Sequence, residues 1–93
     1  MDKNQQKIYN ESCCVAACER LGITPYKPAY YPKEAAPVLN LDNPRTITQY
    51  AYRMSNGESV PVYIKGMRQN SSGWWFFSWP ALVHAYNIKF RLS

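Results

Sequence analysis

The chain has 93 residues, 46% hydrophobic and 15% aromatic, and a formal net charge of +5 at pH 7. This size and composition predict one domain with a modest core and exclude a disordered tail. No apolar run is long enough for a membrane helix, and residues 1–12 lack the apolar core of a signal peptide. The excess of positive charge favours an anionic partner, such as nucleic acid or a membrane surface.

The first predicted element is a helix over residues 2–21. Its apolar residues recur at near-helical spacing, at Ile8, Val15, Cys18 and Leu21. Gly22 is suited to ending this helix. We therefore divide the chain into residues 1–23, a helix used for packing or for self-association, and residues 24–93, which contain the remaining elements.

All three cysteines lie in this predicted helix. Cys14 and Cys18 are one turn apart, a spacing that two metal ligands can share, but a structural zinc site needs four ligands and only Cys13 and His84 remain as candidates. An odd number of cysteines favours reduced cytoplasmic thiols over a disulfide framework. We therefore expect buried thiols and no metal.

No motif in the sequence indicates catalysis. The glycines are isolated, so no phosphate-binding glycine loop is present. A Cys–His nucleophilic pair needs an orienting third group and an oxyanion hole, and no motif suggests either. We expect a binding protein without a cofactor or catalytic residues rather than an enzyme.

Proline dominates the next segment. Residues 24–32 contain three prolines and three tyrosines, so we expect an extended path across the surface. A short helix should follow, because Pro32 suits a first helical turn and residues 33–36 are acceptable helix formers. Pro37 is expected to kink or shorten that helix.

A turn of about four residues separates this helix from the next one. Asn43 is a good N-cap, Pro44 is a good first helical residue, and Asn56–Gly57 should end the helix. Its apolar residues share one face at Ile47, Tyr50, Ala51 and Met54. The opposite face is polar and is expected to be exposed.

Two strands are then predicted over residues 60–67 and 73–78, joined by the polar loop 68–72. Aromatic residues alternate across the second strand, so two of the four rings are expected in the core: Trp74, Trp75, Phe76 and Phe77. Stacking on single-stranded nucleic acid is an alternative use of this run. A Ser78-capped helix over residues 79–86 and an edge strand over 88–92 complete the prediction.

Short helix, turn, helix and hairpin in this order predict an α+β fold, the winged helix-turn-helix, here with an extra N-terminal helix. Four stretches support a more specific resemblance: PKEAA at 32–36, VLNLDNPRTI at 38–47, NGESVPVYIKG at 56–66 and WWFFSWPALVHAY at 74–86. Through them, residues 31–86 resemble the excisionase-like, MerR-related winged-helix DNA-binding domains of phage and plasmid proteins. The chain departs from that pattern at Pro37, where the family continues its first helix, and in having few basic residues on the second helix.

The resemblance implies sequence-specific binding of double-stranded DNA. The protein would be either an excisionase-like architectural factor, which bends DNA and directs a recombinase, or a small phage or plasmid transcriptional regulator. It would act in the cytoplasm at the nucleoid, without a membrane partner. Because one module makes few phosphate contacts, we expect self-association or cooperative binding on DNA, with the N-terminal helix as the candidate contact. A recombinase or another protein is a further possible partner.

In such a domain the second helix enters the major groove, and its outward side chains meet base edges. The expected base readers are Arg45, Thr46, Thr48 and Gln49, because Arg suits guanine, Gln suits adenine and Thr suits the thymine methyl group. The wing tip is expected along phosphates or in the minor groove. Expected backbone contacts are Lys33, Arg53, Lys65, Arg68, Gln69 and Asn70. An ordinary solvated helix face and a mobile hairpin loop remain the alternatives.

The charge distribution agrees with this placement. Residues 43–93 contain six Lys or Arg against Glu58 alone, whereas residues 1–26 contain three residues of each sign. A hypothesis of another class is a winged-helix protein-interaction module that binds a replication, packaging or defence protein. Its interface would be anchored by tyrosines expected to be exposed, at positions Tyr26, Tyr30 and Tyr31.

Overall fold

The computed structural model describes the backbone of residues 3–90 and the side chains of residues 11–90. Within that range the chain forms four α-helices and one antiparallel hairpin: α1 (Lys3–Arg20), α2 (Pro32–Val38), α3 (Pro44–Ser55), a 3-10 turn (Val62–Gly66), β1 (Arg68–Gln69), β2 (Trp75–Phe76) and α4 (Trp79–Phe90). The predicted α+β class is confirmed. The expected helix start at residue 2, the side chain of Ile8 and the end of the predicted tail strand at residues 91–92 lie outside the described residues.

The first helix ends as predicted. Cys18 accepts hydrogen bonds from the backbone N–H groups of Leu21 at 3.1 Å and Ile23 at 2.8 Å. Gly22 lies between them with a φ of +72°, a left-handed conformation that glycine adopts without the cost of a Cβ. These bonds satisfy a carbonyl that the helix end would otherwise leave without a partner.

Helix α1 packs against α4 and α2, so it belongs to the same core as the rest of the chain. The side chains of Cys14 and Cys18 are completely buried there, as predicted, whereas Cys13 is half-buried. The Trp79 indole Nε1 donates a hydrogen bond to Glu11 Oε1 at 2.9 Å, which joins α4 to α1. This contact packs the second half of α1 against the last helix, and self-association of residues 1–23 stays a prediction.

Burial of the thiols predicts a pH dependence. Desolvation raises the pKa of Cys14 from about 9 to about 12, and desolvation also raises the pKa of Cys18. The unfolded chain loses its thiol protons above about pH 9, while the folded chain keeps that of Cys14. We therefore expect the free energy of unfolding to fall between pH 9 and pH 12, by up to about 1.4 kcal/mol per pH unit for Cys14.

Urea unfolding at pH 8 and pH 10 measures this loss. Cys14→Ala should show a smaller loss between the two pH values than the unaltered chain. Desolvation also raises the pKa values of Tyr30 and Tyr63, but Cys14 is not a cause of either shift, so these two tyrosines contribute equally to both proteins and cancel from the comparison. An identical loss in the variant would assign the pH dependence to groups other than Cys14.

One expectation for the proline-rich segment is wrong. Tyr30 was expected to be exposed, but its side chain is completely buried. Its backbone pairs with Phe77, donating to that carbonyl at 2.7 Å and accepting from that N–H at 2.9 Å. Its hydroxyl donates to the Thr24 carbonyl and accepts from the Lys27 N–H. The segment is therefore tied to the chain beyond β2, and only Tyr26 and Tyr31 of the three tyrosines are exposed.

The two central helices agree with prediction. Helix α2 has only seven residues and contains Pro37 near its end, so the expected shortening is confirmed. Asn43 caps α3 by accepting the Arg45 N–H on its Oδ1 at 2.9 Å, and Pro44 is the first helical residue. The apolar face of α3 turns into the core, with complete burial at Ile47 and Ala51 and partial burial at Tyr50 and Met54.

The predicted strand over residues 60–67 is wrong. Residues 62–66 form a 3-10 turn that packs against α4 and α3, and the strand begins only at Arg68. Ile64 and Met67 are buried while Val62 is exposed. That spacing of three residues matches the three residues per turn of a 3-10 helix, whereas a strand would bury alternate residues.

The hairpin is shorter than predicted, with pairs Arg68–Phe76 and Gln69–Trp75. Part of the predicted loop 68–72 therefore belongs to β1. The alternation of the aromatic run is confirmed in part: Trp74 is exposed and Phe77 is completely buried, and Trp75 packs partly against the core. Phe76, expected on the exposed side, is half-buried like Trp75.

The last helix begins as predicted and ends later. Ser78 Oγ accepts the Ala81 N–H at 3.3 Å, which confirms the cap. The predicted edge strand over 88–92 is wrong within the described residues, because α4 continues to Phe90. The rings of Tyr86 and Phe90 lie 4.6 Å apart, the four-residue contact that a helix provides. No helix in residues 3–90 combines the length and apolarity needed to cross a membrane.

Candidate functional site

The polar face of α3 is exposed opposite the core. At about 100° per residue, Arg45, Gln49 and Tyr52 lie at the centre of that face. Thr48 lies on the flank beside Tyr52, and the opposite flank is formed by Thr46 and Arg53. Arg45, Thr48, Gln49 and Arg53 are exposed as predicted, whereas Thr46 is half-buried. The base-reading set is therefore brought together, with Thr46 at its edge.

A groove of about 910 Å³ runs between α3, the start of α2 and the hairpin. Three of its aromatic side chains are exposed and come from three separate elements: Tyr31, Tyr52 and Trp74, exposed by 40%, 67% and 66%. Trp75, which is half-buried, lines the groove as well. The groove is thus an apolar surface directly beside the exposed face of α3.

Three predicted polar contacts line the same groove. Lys33 comes from α2, Thr48 from α3 and Gln69 from β1, so residues far apart in the sequence meet around one concave surface. No carboxylate is among the lining residues. The nearby Glu34 pairs with Lys27 at 2.8 Å, which offsets its charge. The groove therefore suits an anionic or neutral occupant.

Asn70 organises the tip of the hairpin. Its Oδ1 accepts the N–H groups of Ser72 at 2.9 Å and Trp74 at 3.0 Å, and its Nδ2 donates to the Tyr31 hydroxyl at 3.1 Å. These bonds use the amide that sequence reasoning assigned to a phosphate. They also fix the Tyr31 hydroxyl and the backbone at Trp74, so we assign Asn70 a positioning role.

The other predicted backbone contacts occupy different places. Arg68 is exposed on β1, and the Gln69 amide beside it donates to the Gly73 carbonyl at 3.1 Å across the hairpin. Lys65 is exposed on the 3-10 turn, outside the hairpin. The predicted set therefore divides into residues on the groove or hairpin, Arg53 on the flank of α3, and Lys65 on the separate turn.

The sequence named Tyr31 as an exposed anchor and the run from Trp74 as an alternative stacking site, but it did not bring these rings together with Tyr52 on one surface. Tyr52 falls on the polar face by its spacing from Arg45, and an exposed aromatic residue in such a position was a usable signal. The placement of Tyr31 and Trp74 on the same groove depends on how α2 and the hairpin pack, which no local pattern encodes.

Comparisons with protein-family models, curated proteins and solved structures give no match for this chain.

Proposed function

We propose that residues 32–90 form a winged helix-turn-helix that binds double-stranded DNA. In this arrangement α2 and α3 are the two helices, α3 enters the major groove, and the hairpin is the wing. The order of elements and the exposure of the polar face of α3 support the assignment. The protein would read sequence through that face and hold the backbone through the cations around it.

The observation that carries this proposal is the juxtaposition of Arg45 and Gln49 at the centre of an exposed helix face. Arg can bond guanine O6 and N7 in a bidentate manner, and Gln can pair with adenine N6 and N7. Arg53 is exposed on one flank of this face and Lys33 lies beyond the other, and in this proposal both cations would meet phosphates. Residues 43–93 also contain the whole charge excess of the chain.

The resemblance to excisionase-like domains extends the proposal to a role as an architectural factor or a small transcriptional regulator. One copy offers few phosphate contacts, so we propose cooperative binding of neighbouring copies or self-association. Selection of bound duplexes from random sequence, followed by band-shift stoichiometry, distinguishes these roles. Tandem repeats in the selected sites favour the architectural factor, whereas inverted pairs favour a dimeric regulator.

The test of DNA binding is titration of a labelled random duplex at several salt concentrations. We expect binding at low salt that weakens linearly on a logarithmic scale as salt rises, because bound cations release counterions from DNA. Absence of binding to both random and selected duplexes at low salt would contradict the proposal. It would leave the protein-interaction hypothesis, for which exposed Tyr26 and Tyr31 are the available anchors.

Arg68 provides a separate prediction for the wing. Arg68→Ala should weaken binding to all duplexes similarly and reduce the slope of the logarithmic salt dependence by about one, since one phosphate contact is lost. Arg20→Ala removes the same charge from the end of α1 and is the matched control. An unchanged slope in the Arg68 variant would remove the hairpin from the DNA backbone.

A further inference from the structure

The aromatic groove has a composition that contact with an intact duplex does not explain. In paired DNA the faces of the bases are stacked on one another, so exposed aromatic rings beside α3 would face only sugars and phosphates. Tyr52 and Trp74 nevertheless expose about two-thirds of their surface. Aromatic side chains in a positively charged channel are typical of proteins that stack on unpaired bases.

We propose that this groove binds unpaired nucleotides of a DNA strand adjoining the duplex, with bases stacked on Trp74 and Tyr52. The inference rests on the proposed duplex binding and names the form of DNA that the same surface prefers. The groove volume of about 910 Å³ lies within the range of about 300–1,000 Å³ that is typical of ligand clefts.

Charge and position favour nucleic acid as the occupant. Lys33 lines the groove and no lining residue is acidic, so a phosphate between two stacked bases meets a cation and no like charge. Thr48 and Tyr52 belong at once to this groove and to the exposed face of α3. A strand leaving the major groove on that flank of α3 therefore passes directly onto the aromatic walls.

Part of the groove is ordered before any ligand binds. Asn70 donates to the Tyr31 hydroxyl and accepts the backbone N–H of Trp74, and the ring of Tyr31 lies 6.0 Å from that of Phe76. These contacts fix the Tyr31 side chain and the backbone at Trp74, so less of the groove has to be ordered on binding. Extruding a base from a duplex costs unstacking energy that an already unpaired base does not require. The groove should therefore prefer gapped DNA.

The experiment compares an intact duplex with a gapped duplex, in which three nucleotides are missing from one strand and three thymines of the other strand are unpaired. Binding is followed by fluorescence anisotropy. We expect the gapped DNA to bind about tenfold more tightly. Trp74→Leu, which keeps apolar bulk but removes the aromatic face, should abolish this preference, and Trp74→Phe should retain most of it. The intact duplex is titrated with both variants as well, so that the preference is measured in each variant as the ratio of its two affinities.

Two further measurements complete the test. Tyr26→Asn removes an exposed aromatic ring outside the groove at a residue with a φ of +63°, which Asn tolerates, and it should leave the preference unchanged. In ¹⁵N spectra the indole N–H resonance of Trp74 should shift on addition of gapped DNA. A shift with deca-proline and none with gapped DNA would make the groove a protein-binding site and overturn the proposal.

The outcomes separate the two proposals. Equal affinity for gapped and intact duplexes, or an unchanged preference in Trp74→Leu, overturns the stacking inference and leaves duplex binding in place. Failure of every intact duplex to bind contradicts the proposed function, whatever the groove does with unpaired thymines.

Discussion

Phe77→Ala should reduce the free energy of unfolding by about 3–5 kcal/mol, the range for aromatic residues truncated in a core. Phe77 is completely buried between the hairpin and α4, and its backbone exchanges two hydrogen bonds with Tyr30. Alanine keeps the backbone bonds but leaves a cavity that the surrounding side chains fill only in part. Urea unfolding at pH 7, below the titration of the buried thiols, measures the loss.

Trp74→Ala is the matched control for this prediction. It removes an aromatic ring three residues away in the same run, but from the exposed side of the hairpin. We expect its effect to stay within about 0.5 kcal/mol, as for most exposed positions. A loss at position 74 equal to that at position 77 would contradict the alternation on which the placement of both the core and the groove depends.

Tyr30→Phe separates the hydroxyl of Tyr30 from its ring. The variant removes the bonds to the Thr24 carbonyl and the Lys27 N–H while the ring stays in the core. Loss of these bonds leaves two backbone groups without that partner, so we expect a smaller but clear loss of stability, about 1–3 kcal/mol. The difference from Phe77→Ala distinguishes cavity formation from hydrogen bonding as the source of stability in this region.

The helices were predictable because their ends carry local signals. Asn43–Pro44 begins α3 and Ser78 begins α4 through bonds that span two or three residues. The prediction of a strand over residues 60–67 was wrong although these residues have high β-propensity. Burial of Ile64 and Met67 against α3 and α4 requires a period of three residues, which a strand does not have. Tertiary packing overrides propensity there.

The burial of Tyr30 illustrates a second limit. Its partner Phe77 is 47 residues away, and only the folded chain shows that the two backbones pair. From sequence, a proline-flanked tyrosine is indistinguishable from its neighbours Tyr26 and Tyr31, which are exposed. The prediction of three exposed anchors was therefore correct for Tyr26 and Tyr31 and wrong for Tyr30, which joins the segment to the core.

The candidate site also has one part that the local sequence predicts and one part that only the folded chain shows. The exposure of Arg45 and Gln49 follows from the helical period alone, because Ile47 and Ala51 fix which side is buried. The groove required knowledge of how α2 and the hairpin sit beside α3. The role of Asn70 was predictable only in part. Its bonds to Ser72 and Trp74 are local, and an asparagine before a turn commonly makes such bonds.

Arg45→Ala and Gln49→Ala should each cost about 1–3 kcal/mol of binding free energy on a selected DNA site. Each variant should also relax preference at one base pair, because the lost side chain distinguished that pair from the others. Arg53→Ala is the informative comparison, since it lies on the flank of α3 and should weaken selected and random duplexes alike. Competition titrations against both kinds of duplex at fixed salt measure, for each of the three variants, the ratio of its affinity for the selected duplex to its affinity for random duplex.

The comparison works because the substitutions have similar structural cost. Arg45, Gln49 and Arg53 are all exposed on α3, and alanine is the strongest helix former, so none should destabilise the fold. A difference in the selected-to-random ratio therefore reports contact with bases rather than loss of folded protein. If Arg45→Ala and Gln49→Ala left that ratio unchanged, α3 would be a backbone-binding helix, and sequence would have to be read through DNA shape or through the hairpin.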